Sequence, residues 1–365
     1  MIARLLSSLL GNRRELSAAD LFALAWAALI ALAASSLLIL AVGGAPLEVY
    51  RLLLAGTWGN AYGIGQVLAK STPLLFTGLS VALALQAGLF NIGAEGQLTV
   101  GAFCTALVGA HLWAGAPSVI AVPLCVLAGF AGGALVGAIP GVLKATRGSH
   151  EVINTIMLNF IVRAVMVGLG AYAFERESIH TAPIRESAQL ARLSAFFPSL
   201  HGSAASLALL VALGTTALVW WLLARTRLGF ELRAVGASAS AAATSGIAVG
   251  RITVIAMALS GGLAGLVGTS FVLGYKHYYE DGFSGGIGYM GIAVAVLGRL
   301  HPLGIVAAAL LFGTLSQGAL AVNALVPKEL VDVLQAVIIF AVVAAVPEVR
   351  RQFLRATLPK LGAAS

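Results

Sequence analysis

Long apolar runs separated by short polar breaks cover nearly the whole chain. A helix of about 20 apolar residues crosses roughly 30 Å of hydrocarbon. On that measure the pattern predicts ten crossings, at about 21–43, 62–87, 97–113, 118–143, 152–174, 205–224, 252–274, 287–298, 303–323 and 330–346. The eighth is too short to cross alone, so a half-helix is expected there, or one that begins inside 281–286. The expected fold is an all-α, polytopic transmembrane helical bundle of about ten spans. Two polar stretches interrupt it, 175–203 and the basic, broken segment 225–251. The run at 21–43 follows Arg13-Arg14 but is far longer than a signal peptide's apolar core, so it reads as a retained first span.

Composition supports this class. The 365 residues are 59% hydrophobic and 10% charged, with a mean hydropathy of +0.97, whereas soluble domains carry about 25% charge. The net charge of +8 reads as basic loops beside a lipid bilayer, and no nucleic acid partner is expected. With the amino terminus inside, fourteen basic residues fall on the cytoplasmic side: Arg4, Arg13, Arg14, Lys144, Arg147, Arg225, Arg227, Arg233, Arg251, Arg299, Arg350, Arg351, Arg355 and Lys360. Seven fall on the other: Arg51, Lys70, Arg176, Arg185, Arg192, Lys276 and Lys328. Arg163 lies inside the fifth span. Both termini are therefore expected in the cytoplasm, with 1–20 and 347–365 as cytoplasmic segments flanking a membrane domain at 21–346. In that domain 225–251 would be a cytoplasmic coupling loop and 175–203 an extracytoplasmic one.

Several polar groups sit where lipid makes them costly. Residues 88–97 place Asn91, Glu95 and Gln97 among three glycines between two apolar spans. Irregular backbone at membrane depth survives only where protein or water satisfies it, and an ionisable group there costs about 2.5–3.5 kcal/mol on insertion scales. A pathway or gating role is one reading. The other is a short cytoplasmic turn with Glu95 at a helix start, where the dipole favours an acid. In 149–163, Ser149 is the expected N-cap, and Glu151, Asn154, Asn159 and Arg163 recur at helical spacings that suggest one inward polar face, with structural hydrogen bonding between helices as the equal alternative. Gly129, Gly133, Gly137 and Gly141 repeat every four residues and predict close helix packing. Cys104 and Cys125 lie in apolar runs and read as packing residues.

Catalytic spellings fail on context. Gly286, Gly288 and Gly291 match a dinucleotide pattern without a βαβ unit. The stretch Gly282-Phe283-Ser284-Gly285-Gly286 matches a nucleophile elbow, and even resembles the serine motif of rhomboid proteases, without a histidine base nearby. Leu259-Ser260-Gly261-Gly262 echoes an ATPase signature but lies within a span. No phosphate-binding GxxxxGK[ST] occurs, so ATP hydrolysis is not expected of this chain. Its histidines show no metal-ligand spacing, and neither a metal site nor a bound cofactor is expected.

Four ordered stretches carry a resemblance: GLFNIGAEGQLTVGAF at 88–103, GAIPGVLKATRGSHEVINTIMLNFI at 137–161, RTRLGFELRAVGASASAAATSGI at 225–247 and GIAVAVLGRLHPLG at 291–304. Together they resemble bacterial ABC-importer permeases of the branched-chain amino acid, ribose and nucleoside group, most of all the nucleoside or simple-sugar subgroup. The resemblance implies a multi-pass protein of the bacterial plasma (inner) membrane that carries a small polar solute inward, expected to be a nucleoside, with a ribose-like sugar as the alternative. Its implied partners are a cytoplasmic ABC ATPase that holds Mg-ATP, a second permease expected to be a different chain, and an extracytoplasmic substrate-binding protein. It also implies that 230–247 forms a coupling helix on the ATPase, drawing on Phe230, Leu232, Arg233, Ala234, Val235, Gly236, Ala242 and Gly246. Many relatives carry Asn-Pro after the AVG triplet, where this chain reads ASAS. Physically, Arg233 is expected to meet a carboxylate of the ATPase, Leu232 and Val235 to fill its groove, and Gly236 to cap the helix. The pathway residues expected are Asn91, Glu95, Gln97, Asn154 and Asn159. A different class, an ion-coupled secondary transporter, would need ionisable groups deep in several spans, and only Glu95, Glu151 and Arg163 are candidates.

Overall fold

A computed structural model describes residues 18–113, 115–323 and 325, together with 333, 336 and 337. The tail at 347–365, nearly all of the expected tenth span and most of 1–20 lie outside the described residues. Two compact units are distinguished, 60–314 and 1–59 with 315–365.

In the smaller unit, α1 (Ala18–Ala41) is followed by α2 (Pro46–Thr57), with Pro46 at the first helical position. The pair turns through 112°. The sequence pattern left α2 unassigned because Glu48 and Arg51 interrupt a short apolar run. Ile39 and Val49 pack with Ala319 and Val322.

The larger unit holds α3 (Ala61–Gln86), α4 (Ala94–His111), α5 (Ser118–Arg147), α6 (Glu151–Ala173) and α7 (Ala208–Arg225). Two short helices follow, α8 (Arg227–Ala237) and α9 (Ala239–Thr244), and then α10 (Val249–Gly265), which continues through π-helical turns at Thr269–Lys276. The last are α11 (Ile287–Leu297) and α12 (Pro302–Val322), which runs past the unit's end. Among the described residues six helices are long and apolar enough to cross a membrane, and the bent α1–α2 pair would make a seventh. The chain is therefore a multi-pass helical membrane protein.

Burial separates the central helix from the peripheral ones. From Ser71 to Ala84, α3 is buried on every side, as expected of a helix surrounded by others. By contrast α6 buries one stripe, Glu151, Thr155, Asn159, Val162, Met166 and Gly170, and exposes its remaining apolar face. Asn154 and Arg163 fall off that stripe, so the single inward polar face expected of α6 is only half present. Its N-cap is His150, not Ser149, whose hydroxyl instead accepts from Asn154 Nδ2 at 2.6 Å. The closest helix pair is α5 with α10. A β-carbon at Gly133 would collide with the Gly261 carbonyl, and one at Gly137 with that of Met257. The glycine ladder thus does what its spacing suggested.

The two ends of this unit differ. At one, the polar stretch after α6 is clasped to its neighbours by backbone bonds, Ile184 N–H to His277 at 2.8 Å, Leu190 to Leu273 at 2.8 Å and Arg185 to Gly109 at 3.0 Å. At the other, Gln86 Nε2 donates to the Leu300 carbonyl at 3.3 Å, and α8 packs under the end of α3. Here α8 buries Gly229, Leu232 and Val235.

Candidate functional site

The 11 residues of α11 rise only about 16 Å at 1.5 Å each, half the depth of a bilayer core. Its C-terminal end is held beside Gln86 through Leu300, so its N-terminus stops midway through the bundle. This is the half-helix the length of the eighth run suggested. The chain reaches that point from Lys276, at the clasped end, through an irregular ten-residue stretch. A second helix begins at the same place. Gly88 lies against Gly236 at the far end; 89–93 then run without helix, and α4 starts at Ala94. Gly288, on the first turn of α11, sits so close to the Glu95 backbone that a β-carbon would collide with it.

Two helix N-termini therefore converge, and Glu95 lies between them. Its carboxylate accepts the Gly288 N–H at 2.8 Å and the Ser284 hydroxyl. Both helix dipoles present their positive ends here, which offsets the cost of a carboxylate at this depth. The rejected serine motif thus has a structural use, because Ser284 is a hydrogen-bond donor to Glu95. Asn159 of α6 completes the frame. Its Oδ1 accepts from Gly96 N–H at 2.9 Å, and its Nδ2 donates to the Ile92 carbonyl at 3.0 Å and the Tyr289 hydroxyl at 3.2 Å.

Beside these groups lies a cavity of about 330 Å³, lined among others by Glu95, Thr99, Asn159, Arg163, Tyr279 and Tyr289. Of the expected pathway residues, Glu95 and Asn159 line it. Asn91 and Gln97 do not; they are fully buried behind it. Asn91 Nδ2 donates to Gln97 Oε1 at 2.7 Å and Ser260 Oγ at 2.8 Å, while its Oδ1 accepts from Gly93 N–H at 2.9 Å and Gln97 Nε2 at 3.1 Å. Ser260 in turn donates to the Ser80 carbonyl at 2.7 Å. Asn154 belongs to the start of α6, with Ser149. The sequence pattern missed Tyr279, Asp281 and Tyr289, which arrive from nearly 200 residues downstream. Glycines 282, 285 and 286, all with left-handed backbone, were the available signal that this stretch turns sharply.

At the opposite end of α3, the helices α8 and α9 form a second surface. Thr226 caps α8, its hydroxyl accepting from Gly229 N–H at 3.1 Å, and Ser238 caps α9 by accepting from Ala241 N–H at 3.3 Å. Ser238 belongs to the ASAS departure and keeps a good capping side chain at the break. Two expectations are corrected here. Leu232 and Val235 cannot fill a partner's groove, because the inward stripe of α8 buries them in this chain. Gly236 is no cap but a point of close approach, where a β-carbon would collide with the Gln86 carbonyl. What faces outward is Phe230, 60% exposed, and Arg233. Phe230, Ala234, Ala242 and Gly246 line a groove of about 490 Å³ between the two helices.

Comparison with known proteins agrees with this architecture. Residues 63–343 match the family described as branched-chain amino acid transport system / permease component. The guanosine ABC transporter permease protein NupP of Bacillus subtilis is 38% identical over 320 residues, 87% of this chain and 91% of that protein. The nucleoside ABC transporter permease protein NupB of Lactococcus lactis is 35% identical over 84% of this chain and 85% of that one. The glucose ABC transporter permease protein TsgB13 of Haloferax volcanii is 32% identical over 85% and 84%. No solved structure matches. The chain belongs to the family of branched-chain amino acid transport system permease components.

Proposed function

We propose that this chain is the membrane permease of an ATP-driven importer that carries nucleosides inward across a bacterial plasma membrane. The observation that carries the reading is its 38% identity, over most of both chains, to a guanosine permease. A simple sugar is the second reading, favoured by the glucose permease at 32% identity. In this reading the chain makes ten crossings with both termini cytoplasmic, and 175–203 faces outward. A cytoplasmic ATPase holding Mg-ATP, a second and different permease chain, and an extracytoplasmic binding protein complete the importer. The chain itself performs no covalent chemistry.

The coupling surface in this reading is the outer face of α8 and α9. Seven basic residues sit on helix ends and short helices at that end: Lys144, Arg147, Arg225, Arg227, Arg233, Arg251 and Arg299, as the positive-inside bias requires of a cytoplasmic face. Phe230 and Arg233 offer an apolar anchor and a charge to the ATPase. Leu232 and Val235 lie beneath them, and Gly236, pressed against Gln86, passes a push to the end of α3, from which the chain leads through 88–93 to Glu95. Glu95 and Asn159 would line the solute pathway, with Asn91 and Gln97 holding the turn that positions them.

The test is uptake of labelled guanosine by proteoliposomes with and without the ATPase, for wild type and for Arg233→Glu. Uptake should require ATPase and ATP, and Arg233→Glu should lower it about tenfold or more while the permease stays folded. Accumulation by the permease alone would favour an ion-coupled transporter. Unchanged ATP-driven uptake by Arg233→Glu would move the coupling contact elsewhere.

A further inference from the structure

Arg163 is exposed on α6, and among the described residues its guanidinium has no hydrogen bond or ion pair. It stands about 18 Å from Glu151 at one end of the helix and about 15 Å from Ala173 at the other, at about 1.5 Å per residue. Both distances exceed what an arginine stem spans, so the charge cannot reach water by stretching along the helix. One turn to either side on the same face are Phe160, 66% exposed, and Val167, 63% exposed. That apolar setting fits lipid, but an unpaired guanidinium at mid-depth does not; such residues face a protein neighbour or a water-filled cavity.

A second observation lies across the mouth of the cavity. The stretch 281–286 is irregular, and Gly285 is exposed. The N–H groups of Gly285 and Gly286 take no hydrogen bond among the described residues. Tyr289, on the first turn of α11, is 46% exposed beside them. Because α11 begins midway through the bundle, the end of this stretch lies near the depth of Arg163. Irregular backbone is not exposed to hydrocarbon at that depth; it is covered by protein or borders water. Arg163, both glycines and Tyr289 all line the cavity beside Glu95, which therefore opens sideways near the middle of the membrane. Water there needs a wall against lipid as much as dry packing would, so both explanations call for another protein surface.

We propose that a second, different permease chain closes this side, meeting α6 along Phe160, Arg163 and Val167 and supplying oxygen acceptors to Arg163 and the two glycine N–H groups. The groups left unmet at mid-depth are donors. Asp281 lies toward the clasped end, where its N–H is bonded to the Ile179 carbonyl at 2.9 Å. A second copy on a two-fold axis would set the donor-rich face against itself, guanidinium toward guanidinium, so a chain with a different face fits better. The outer wall of the cavity then belongs to the partner, and both chains shape what it admits. The choice of a permease as occupant rests on the importer reading above; the need for protein cover does not.

Phe160 carries the test, because it shares the exposed face with Arg163. Phe160→p-benzoylphenylalanine, illuminated in the assembled importer in native membranes, should crosslink this chain to the second permease, identified by mass spectrometry of the adduct. The same photoreactive group at Leu218, exposed on α7, should not. A bond from 160 to residues 326–346 of the same chain, to a second copy of it or to lipid alone would overturn the proposal, as would a permease adduct formed as readily from 218. Arg163→Leu should leave the Tm of the isolated chain unchanged or higher, since leucine suits both lipid and helix. It should lower the share of second permease that co-purifies in detergent about tenfold or more, the worth of a hydrogen bond to a charged group. Unchanged co-purification, or a lowered Tm of the isolated chain, would also overturn it. The importer reading is scored apart, by whether an ATPase co-purifies with wild type and uptake needs ATP. A bound ATPase with no permease adduct at 160 sinks the interface and keeps that reading; a permease adduct without an ATPase does the reverse.

Discussion

Asn91 and Glu95 stand four residues apart in the same glycine-rich turn, yet they belong to opposite kinds of polar construction. Asn91 uses both amide protons and both carbonyl lone pairs on Gln97, Ser260 and Gly93, fully buried. Glu95 spans two helix N-termini through Ser284 and Gly288 and borders open space. Buried networks that are fully satisfied specify one geometry, whereas groups with spare capacity are available to a ligand. The difference teaches that polarity inside this membrane protein does not by itself mark a pathway. Completeness of hydrogen bonding separates the residues that hold the turn from those that border the cavity.

The strongest way to break this contrast is Asn91→Ala. It strands the Gln97 amide, the Gly93 N–H and part of the Ser260 contact in a fully buried site, and should cost about 2–4 kcal/mol of stability. Thermal unfolding in detergent should show a clear fall in Tm. The protein that remains folded should transport guanosine with a KM within about twofold of wild type. A normal Tm with a raised KM would put Asn91 in the pathway and dissolve the distinction.

Glu95→Gln comes next and should behave the other way. The amide still accepts from Ser284 or from Gly288, but its NH₂ must face one of those donors. Hydrogen bonds to charged groups contribute about 1.5–3 kcal/mol each, so the joint between α4 and α11 weakens while the helices persist. Transport should fall about tenfold or more, with a smaller Tm change than in Asn91→Ala. If uptake is unaffected, Glu95 is a structural brace like its neighbour.

These roles were legible in the sequence only in part. The apolar runs placed α3 to α7 and α10 to α12 within a few residues, because lipid demands continuous apolarity regardless of context, whereas α8 and α9 lie in the basic, broken segment that no apolar run marks. The brevity of 287–298 announced a half-helix, and the four-residue glycine spacing announced the α5–α10 seam. What needed structure was everything set by partners distant in the chain. Leu232 and Val235 looked like docking residues because the end of α3, which covers α8, is about 150 residues earlier. Tyr279 and Tyr289 looked like ordinary aromatic residues because Asn159 and Glu95 are brought to them only by the folded bundle. Asn91 and Glu95 could not be told apart, since both are simply polar groups among glycines until Ser260 is found beside one and Gly288 beside the other.

The mildest test addresses the open side of the contrast, where His277 precedes Tyr279 by two residues. Its Nδ1 is buried without a partner among the described residues, and burial, with Arg192 as a lesser cause, holds its pKa below the usual 6.5. A histidine depressed in this way is neutral in the folded protein. In the unfolded chain it binds a proton more readily, so its contribution to stability is fully present above about pH 6.5 and declines as pH falls below it. The clasp between Ile184 N–H and the His277 carbonyl should therefore loosen in mild acid. His277 also has a left-handed backbone, φ 67°, which asparagine tolerates well. His277→Asn should keep the fold and remove part of the pH dependence. Hydrogen exchange at the Ile184 amide, compared at pH 7.5 and 5.5 after correction for intrinsic rates, should show a smaller acid-induced rise than in wild type. An equal rise in both proteins would place the acid sensitivity elsewhere and leave the open side as rigid as the turn that holds Asn91.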